Sequence, residues 1–222
     1  MQRTVVVISA GLGVPSSTRM LADQMGAEVM SQLQALGVTV VLDVIDLRNF
    51  ATDIANNMVS GYAGPALADV VKRVEAADAM IAVTPTFSAS YSGMFKSFFD
   101  VLDPKFLDGM PVFFGATGGS SRHSLVLDMA IRPLFSYLRA HTMPTAIYAS
   151  PEDWGGSGSN TLENRISQGS GELAAILAIG ATAGAAPEAI LSADHKEKRA
   201  QRERNEMTSL PFEQLLAQTQ RR

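Results

Sequence analysis

Short apolar runs alternate along the chain with longer segments whose apolar residues recur every three or four positions. The short runs predict strands buried on both faces of a sheet, and the longer segments predict amphipathic helices. Predicted strands span residues 4–8, 38–45, 80–83, 111–116 and 143–148, and predicted helices span 18–36, 66–77, 91–102, 124–140 and 161–179. This alternation is typical of a parallel sheet with helices on both faces. We therefore expect an α/β fold of the flavodoxin-like class, with five parallel strands in the order 2-1-3-4-5.

Two segments depart from this regular pattern. Residues 46–65 show no clear period, and we expect a long loop with a short helical turn there. Pro133 falls inside the predicted helix 124–140. A proline at that place removes a backbone hydrogen bond, so we expect it to kink or split the helix.

The character of the chain changes after residue 150. EDWGGSGSN predicts a flexible loop, and the helix that follows it is expected to pack on the sheet. The run DHKEKRAQRERNE indicates an exposed charged helix or arm, and the small apolar stripe of LPFEQLLAQ is typical of a tail that docks on a neighbouring subunit. We therefore predict one domain over residues 1–185 and a charged C-terminal helix or tail over 186–222.

The composition excludes several classes of protein. A net charge of −4 argues against a nucleic-acid binder held by phosphate contacts. The absence of cysteine excludes disulfides, thiolate nucleophiles and cysteine metal ligands. The three histidines lack metal-ligand spacing, and no GxSxG elbow of a serine hydrolase is present. Without an apolar run of roughly 20 residues or the regions of a signal peptide, we expect a cytoplasmic protein that does not enter a membrane.

The loop SAGLGVPSSTR follows the first predicted strand and is the first candidate site. It places four hydroxyl side chains before a helix N-terminus: Ser9, Ser16, Ser17 and Thr18. Hydroxyls, free backbone N–H groups and the helix dipole favour an anion there, and Arg19 adds positive charge if it turns inward. The alternative is that the hydroxyls only cap the helix. Because the loop lacks both GxxxxGK[ST] and GxGxxG, a monophosphate fits it better than a pyrophosphate.

Two further loops follow predicted strands. In TPTFSASYSG, Pro85 fixes the direction of the loop, Phe87 could lie beside a planar ring, and the serines offer donors without bulk. In ATGGSSRH, Gly118 and Gly119 let the backbone approach a flat ligand, and Arg122 or His123 could reach it. A capped polar loop and a structural histidine are the alternatives. The three loops should end at one edge of the sheet, which favours a shared ligand site.

These stretches resemble known sequence signatures. Ser9, the SST group and the following LAD resemble the GSxRxxSxNxxLA signature of NADPH-dependent FMN reductases. TPTFSASYSGMFKSFFD is similar to TPxYNxSxxGxLKNxxD of the same family. GGSSRHSLVLDMAIRPLFSYL is similar to the GGxxxHxLxxxxxLRPLLxxL stretch of alkanesulfonate-associated flavin reductases. The resemblance covers about residues 4–148 and extends to the FMN reductases that accompany luciferase-like monooxygenases.

The resemblance implies a set of FMN-binding residues. It assigns the phosphate to Ser9, Ser16 and Thr18, with Ser17 and Arg19 as helpers. It assigns the isoalloxazine ring to Pro85, Thr86, Phe87, Ser88 and Ser90, and its pyrimidine end to Thr117, Gly118 and Gly119. Three departures stand out: Thr18 replaces the usual Asn, Phe87-Ser88 replaces Tyr-Asn, and the first loop has no Arg between Ser9 and Ser16. These departures could alter phosphate affinity and flavin contacts.

The function implied by the resemblance is reduction of FMN by NADPH or NADH, with hydride passing to flavin N5 and no side chain needed as acid or base. Reduced FMN would then supply a partner monooxygenase. The alternatives are an FMN-containing quinone or azo-dye reductase, or a flavin-binding electron carrier without enzymatic activity. The resemblance also implies a homodimer or homotetramer. Large apolar residues in the segments 46–65, 66–77 and 91–102 favour an interface along them.

Overall fold

The computed structural model describes residues 2–154 and 161–179, which form one layered α/β unit. Its strands are β1 (Gln2–Ser9), β2 (Thr39–Asp46), β3 (Ala79–Phe87), β4 (Ser90–Tyr91), β5 (Pro111–Thr117), β6 (His141–Thr142) and β7 (Ile147–Ala149). Its α-helices are α1 (Ser17–Ala35), α2 (Ala51–Ser60), α3 (Pro65–Ala76), α4 (Gly93–Asp100), α5 (Arg132–Tyr137) and α6 (Leu162–Ala178).

The main sheet is parallel and has the order β2-β1-β3-β5-β6, with β7 also paired to β5. This is the flavodoxin-like order, so the predicted fold class is confirmed. The predicted count of five strands is wrong, because the described residues contain seven. One extra strand is β4, which pairs antiparallel with the end of β3. The other arises because two short strands, β6 and β7, share the fifth position of the sheet.

The fifth position is divided near Pro144, inside the strand predicted over 143–148. A proline has no N–H to donate to a strand ladder, so pairing stops there. Arg132 covers the interruption: its Nη1 donates to the Met143 carbonyl at 2.9 Å and its Nη2 to the Pro144 carbonyl at 3.0 Å. Its guanidinium also lies 4.9 Å from the centre of the Phe114 ring.

Alternate residues of each strand face two separate cores. On one face, Val5 and Val7 pack with α1 and α6. On the other, Val6 and Ile8 pack with α2, α3, α4 and α5. Strand residues that face either core are almost completely buried, which explains why the strand sequences are continuous apolar runs.

Several predicted elements differ from the structure. Residues 46–65 hold a short 3-10 turn and the ten-residue helix α2, not a long loop. Residues 84–87, predicted as loop, continue β3, and α4 begins at Gly93 instead of residue 91. The predicted helix 124–140 is divided as expected near Pro133, into a π-helical turn at Leu127–Ile131 and helix α5.

Most large apolar residues of 66–77 and 91–102 are buried within the chain, so these segments offer little of the apolar surface that was expected. In α3, Leu67, Val70 and Val74 have no exposed surface, and in α4 Phe95 and Phe98 have none. Only the segment 46–65 leaves large apolar side chains in solvent among the three segments: Met58, Val59 and Tyr62.

Helix α6 belongs to the same folded unit as the sheet. It packs along α1, and near its end Arg3 Nε donates to the Leu177 carbonyl at 3.2 Å. In residues 2–154 and 161–179, no helix combines the length and apolarity that crossing a membrane requires. The predicted charged tail and most of the predicted loop EDWGGSGSN lie outside the described residues.

Candidate functional site

The first candidate loop leads from β1 into the N-terminus of α1. Ser9 ends β1 with no exposed surface, and its Oγ has no hydrogen-bond partner among the described residues. Ser16 is the N-cap of α1, where its Oγ accepts from the Arg19 N–H at 3.2 Å. At Gly11 a Cβ would lie 2.0 Å from Ser16 Oγ, so the loop can fold back on itself only with glycine there.

This geometry fits an anion. The first N–H groups of α1 have no acceptor within the helix, and the positive end of its dipole points into the loop. A buried hydroxyl without a partner costs free energy, and Ser9 lies at the end of the strand that feeds this helix. A phosphate oxygen at this place would accept a hydrogen bond from the Ser9 hydroxyl and from the first N–H groups.

Thr18 and Thr117 hold the first and third loops together. Their hydroxyl oxygens are 2.8 Å apart and buried. Both residues were predicted to bind the ligand directly, and the hydroxyl of each is already engaged with the other. The bond fixes the start of α1 against the end of β5.

A group of charged side chains lies beside the first loop. Arg19 turns toward Asp23, with Nε 2.8 Å from the carboxylate, and its Nη1 is 3.9 Å from Asp46. Arg48 Nε is 3.2 Å from the same Asp46 carboxylate, and its Nη1 donates to the Gly13 carbonyl at 3.0 Å.

Sequence reasoning missed Asp46 and Arg48. The only available signal was a carboxylate at the end of the second predicted strand, close in the fold to the first loop. Because residues 46–65 show no clear period in the sequence, the pattern does not single out the Asp46 carboxylate.

The second candidate segment is a β-hairpin. Pro85 is buried within β3, Thr86 and Ser90 are half-buried, and the exposed Phe87 pairs with Ser90 of β4. Ser88 and Ala89 form the turn with φ of 48° and 65°, the positive values that type I′ turns require at both central residues. The hairpin presents Phe87 and Ser88 at the exposed carboxyl edge of the sheet.

The third loop begins where Gly118 N donates to the Ala149 carbonyl at 3.1 Å. A Cβ on Gly118 would lie 2.0 Å from the Tyr148 hydroxyl, whereas a Cβ on Gly119 would meet nothing within 4 Å. Neither glycine has positive φ, so the backbone conformation does not require glycine at either position. Gly118 makes room for Tyr148, and the space above Gly119 is open.

Tyr148 in β7 supports the third loop, and Asp153 orders the turn that follows β7. The Tyr148 hydroxyl donates to the Ser120 carbonyl at 2.8 Å, and burial raises the pKa of Tyr148. Burial of the Asp153 carboxyl acts to raise its pKa, but hydrogen bonds from Ser150 and the neighbouring Arg165 guanidinium outweigh it and hold that pKa below its ordinary value. The sequence pattern does not single out these two residues, because Tyr148 lies in the predicted strand 143–148 and Asp153 in the predicted flexible loop EDWGGSGSN.

The remaining candidates and cavities lie apart from this cluster. Arg122 and His123 are exposed in a 3-10 turn at the end of the third loop. The described residues contain no group of His, Asp and Glu arranged to hold a metal ion.

Two grooves of about 300 and 330 Å³ lie between α4 and α5 and between α1 and α6. The three candidate loops follow β1, β3 and β5 and lie at the carboxyl edge of the parallel sheet.

Comparison with known proteins gives concordant matches. Residues 3–155 match the model of a family described as NADPH-dependent FMN reductase. The chain is 36% identical over 148 residues to an NADH-dependent FMN reductase of Pseudomonas putida, covering 67% of this chain and 77% of that protein. It is 37% identical over 152 residues to an FMN reductase (NADPH) of Pseudomonas aeruginosa, covering 68% and 78%.

A solved structure is also similar over most of its length. The crystal structure of an oxidoreductase from Corynebacterium diphtheriae aligns with a TM-score of 0.76 and 43% identity, covering 78% of this chain and 96% of that one.

Proposed function

We propose the role of each loop from one premise: the chain belongs to the NADPH-dependent FMN reductase family. It is an oxidoreductase that reduces FMN with NAD(P)H. When bound, the flavin supplies the redox chemistry by accepting hydride at N5 from the nicotinamide. The contribution of this chain is to bind and orient the two nucleotides.

The FMN phosphate is held at the N-terminus of α1. The observation that carries this assignment is the buried, unpartnered hydroxyl of Ser9 at the end of the strand that leads to the N-terminus of α1. Ser16 and Ser17 border the same place, at the N-cap and the first helical position. Thr18 acts through its bond to Thr117, and Arg19 contributes charge.

The isoalloxazine ring lies between the hairpin and the third loop. Phe87 offers a ring face at the exposed end of β3, with Pro85 and Thr86 before it and Ser88 and Ser90 in the turn and β4. The open space above Gly119 suits a flat ring that approaches the backbone closely. The N–H groups of this loop can then face the pyrimidine oxygens.

FMN exchanges with solvent and serves as a substrate, and its reduced form is delivered to a flavin-dependent monooxygenase. The exposed Phe87 and Ser88 and the open space above Gly119 support this role. A tightly enclosed flavin would favour direct electron transfer to an organic acceptor.

The active form is a homodimer. Met58, Val59 and Tyr62 are 53%, 91% and 72% exposed at the end of α2 and just beyond it. An exposed apolar group of this kind marks an interface, and two-fold symmetry is its commonest closed arrangement. We propose further that residues 1–185 form the reductase domain and that 186–222 form a separate charged tail.

Steady-state assays of the purified protein with NADH and NADPH, with and without added FMN, test the function. We expect oxidation of the nicotinamide to depend on added FMN and to saturate with it. A stoichiometric FMN that survives purification, with quinone turnover above free-flavin turnover, would favour a quinone reductase. No oxidation with any acceptor would leave only a flavin carrier.

A further inference from the structure

The charged side chains beside the first loop balance one another before any ligand arrives. Two guanidinium groups, those of Arg19 and Arg48, face two carboxylates, those of Asp23 and Asp46. Asp46 is the member that both arginines share. The surroundings of the anion site therefore carry no net positive charge from these four groups.

Arg19 stands where a helix ordinarily disfavours a cation. It lies in the first turn of α1, which contains no acidic residue, and the positive end of the dipole opposes a positive side chain there. Asp23 and Asp46 offset this cost in the protein alone. A bound phosphate dianion would offset it as well, so phosphate and carboxylates compete for the same guanidinium.

The Asp46 carboxylate interacts with the two arginines and does not cap a helix. Asp46 occupies the N-cap position of the 3-10 turn Leu47–Phe50, yet its side chain makes no cap hydrogen bond. An aspartate there usually accepts from the N–H groups that follow. Instead Oδ2 lies 3.2 Å from Arg48 Nε and 3.9 Å from Arg19 Nη1.

Asp46 also lies directly beside the anion site. It is the register partner of Ser9 across β1 and β2, so both side chains lie on the α1 face of the sheet. Its side chain is 11% exposed, and Oδ1 is buried with no hydrogen-bond partner among the described residues. Half of the carboxylate is therefore unsatisfied next to the place assigned to the phosphate.

We propose that Asp46 sets the affinity for the flavin phosphate by competing with it for Arg19 and Arg48. The inference rests on the proposed function, because it takes FMN as the ligand of this loop. Arg48 supplies from outside the loop the guanidinium that the family signature places between Ser9 and Ser16, and Asp46 restrains it. The consequence is a phosphate held weakly enough for FMN to leave as a substrate must.

Flavin titrations of Asp46→Asn test the proposal by fluorescence quenching. Removing the carboxylate charge while keeping the shape frees both arginines, so we expect FMN to bind about five- to tenfold more tightly. Riboflavin has no phosphate, and its Kd should stay within about twofold. The FMN gain should shrink at high salt, because ionic strength screens charges that are partly exposed. FMN dissociation measured by stopped flow should slow in proportion.

Asp43→Asn is the matched control. Asp43 lies on the same strand and also pairs with an arginine, Arg73 of α3, but on the face away from the loop. We expect its FMN and riboflavin affinities to equal those of the wild type. If Asp43→Asn and Asp46→Asn changed the FMN affinity equally, the loss of one negative charge from the protein would explain the effect, and the proposal would be overturned.

Arg48→Gln decides the question if Asp46→Asn does not fold. This substitution removes one of the two positive charges that face the Asp46 carboxylate. FMN should therefore bind several-fold more weakly, while the Kd of riboflavin should be unchanged. A wild-type ratio of FMN to riboflavin affinity in either folded variant would overturn the proposal. Failure of the wild-type protein to bind FMN would instead refute the proposed function, and the two failures are thus distinct.

Discussion

At the scale of single residues, the Ser9 hydroxyl is expected to contribute to flavin binding and not to the stability of the fold. Its hydroxyl is fully buried and unpartnered in the described structure, a state that usually costs free energy unless a ligand or water completes it. A residue retained for folding alone would be apolar at this place. The hydroxyl is best explained by the anion that we assign to the loop.

Ser9→Ala should therefore weaken FMN while leaving the apoprotein as stable as before or slightly more stable. The lost bond is to a charged group, so we expect the FMN affinity to fall by about 1–3 kcal/mol. Titration with FMN and riboflavin, with thermal unfolding of the apoprotein, checks both parts. An equal loss for the two flavins would contradict the phosphate assignment. Ser16→Ala is a less clean variant, because it also removes the helix cap.

Gly118 and Gly119 should respond differently to a methyl group. At Gly118 the new Cβ meets the Tyr148 hydroxyl, so Gly118→Ala should lower the free energy of unfolding by about 1–3 kcal/mol. Adding Tyr148→Phe should restore part of that loss. Gly119→Ala should unfold like the wild type, and Gly119→Val should lose flavin binding while still melting cooperatively. Wild-type FMN affinity in Gly119→Val would show that the ring lies elsewhere.

The residues that sequence reasoning found and missed differ in a physical way. The positions of Ser9 at a strand end and Ser16 at a helix start could be predicted, because a strand, a small-residue loop and a helix start follow each other directly in the chain. Asp46, Arg48 and Tyr148 reach the site through tertiary packing from other strands. No local pattern encodes that approach, and the same holds for the hydroxyl pairing of Thr18 with Thr117.

At the scale of elements, the prediction failed where short structure lacks its usual signals. The hairpin turn is Ser88-Ala89, without the Asn or Gly that normally marks positive φ. Helix α2 is only ten residues long and has no side-chain cap, so no capping residue marks its start in the sequence. The strand near Pro144 read as one apolar run although its backbone pairing is interrupted.

Helices α4 and α5 are joined by an aromatic cluster whose removal should be costly. Phe135 is fully buried and contacts Phe95, Phe99 and Phe114, with ring centres 5.2–6.2 Å apart. We expect Phe135→Ala to lower the free energy of unfolding by about 3–5 kcal/mol.

Tyr137, two residues along the same helix, provides the control for this prediction. It is 81% exposed, so Tyr137→Ala should change stability by no more than about 0.5 kcal/mol. Urea unfolding of both variants measures the difference. Similar losses in the two would mean that α5 does not close the core as described.

At the scale of the whole molecule, the order of the parallel strands could be predicted because strands that alternate with helices adopt few sheet orders. The association state remains a prediction, because a count of apolar residues in the sequence does not show which of them are buried. The phenylalanines of α4 proved to be core residues, which leaves a smaller exposed group around Val59.

Val59→Asp tests the dimer at this group. Because Val59 is 91% exposed in the single chain, a charge there should not affect the fold but should disrupt an apolar interface. Light scattering should give twice the 23.6 kDa chain mass for the wild type and the single mass for the variant. A wild-type mass near 23.6 kDa with full reductase activity would contradict the dimer.

The hydrogen bond between Thr18 and Thr117 links residues 99 positions apart, which bears on when the protein can first recognise its flavin. During synthesis the first loop, between β1 and α1, leaves the ribosome long before β5. FMN therefore cannot act as a template for early folding, and it stabilises only a chain whose central sheet is complete. In a cell this would make the nucleotide a selective protector: finished molecules gain resistance to proteases, while truncated chains that end before β5 gain none.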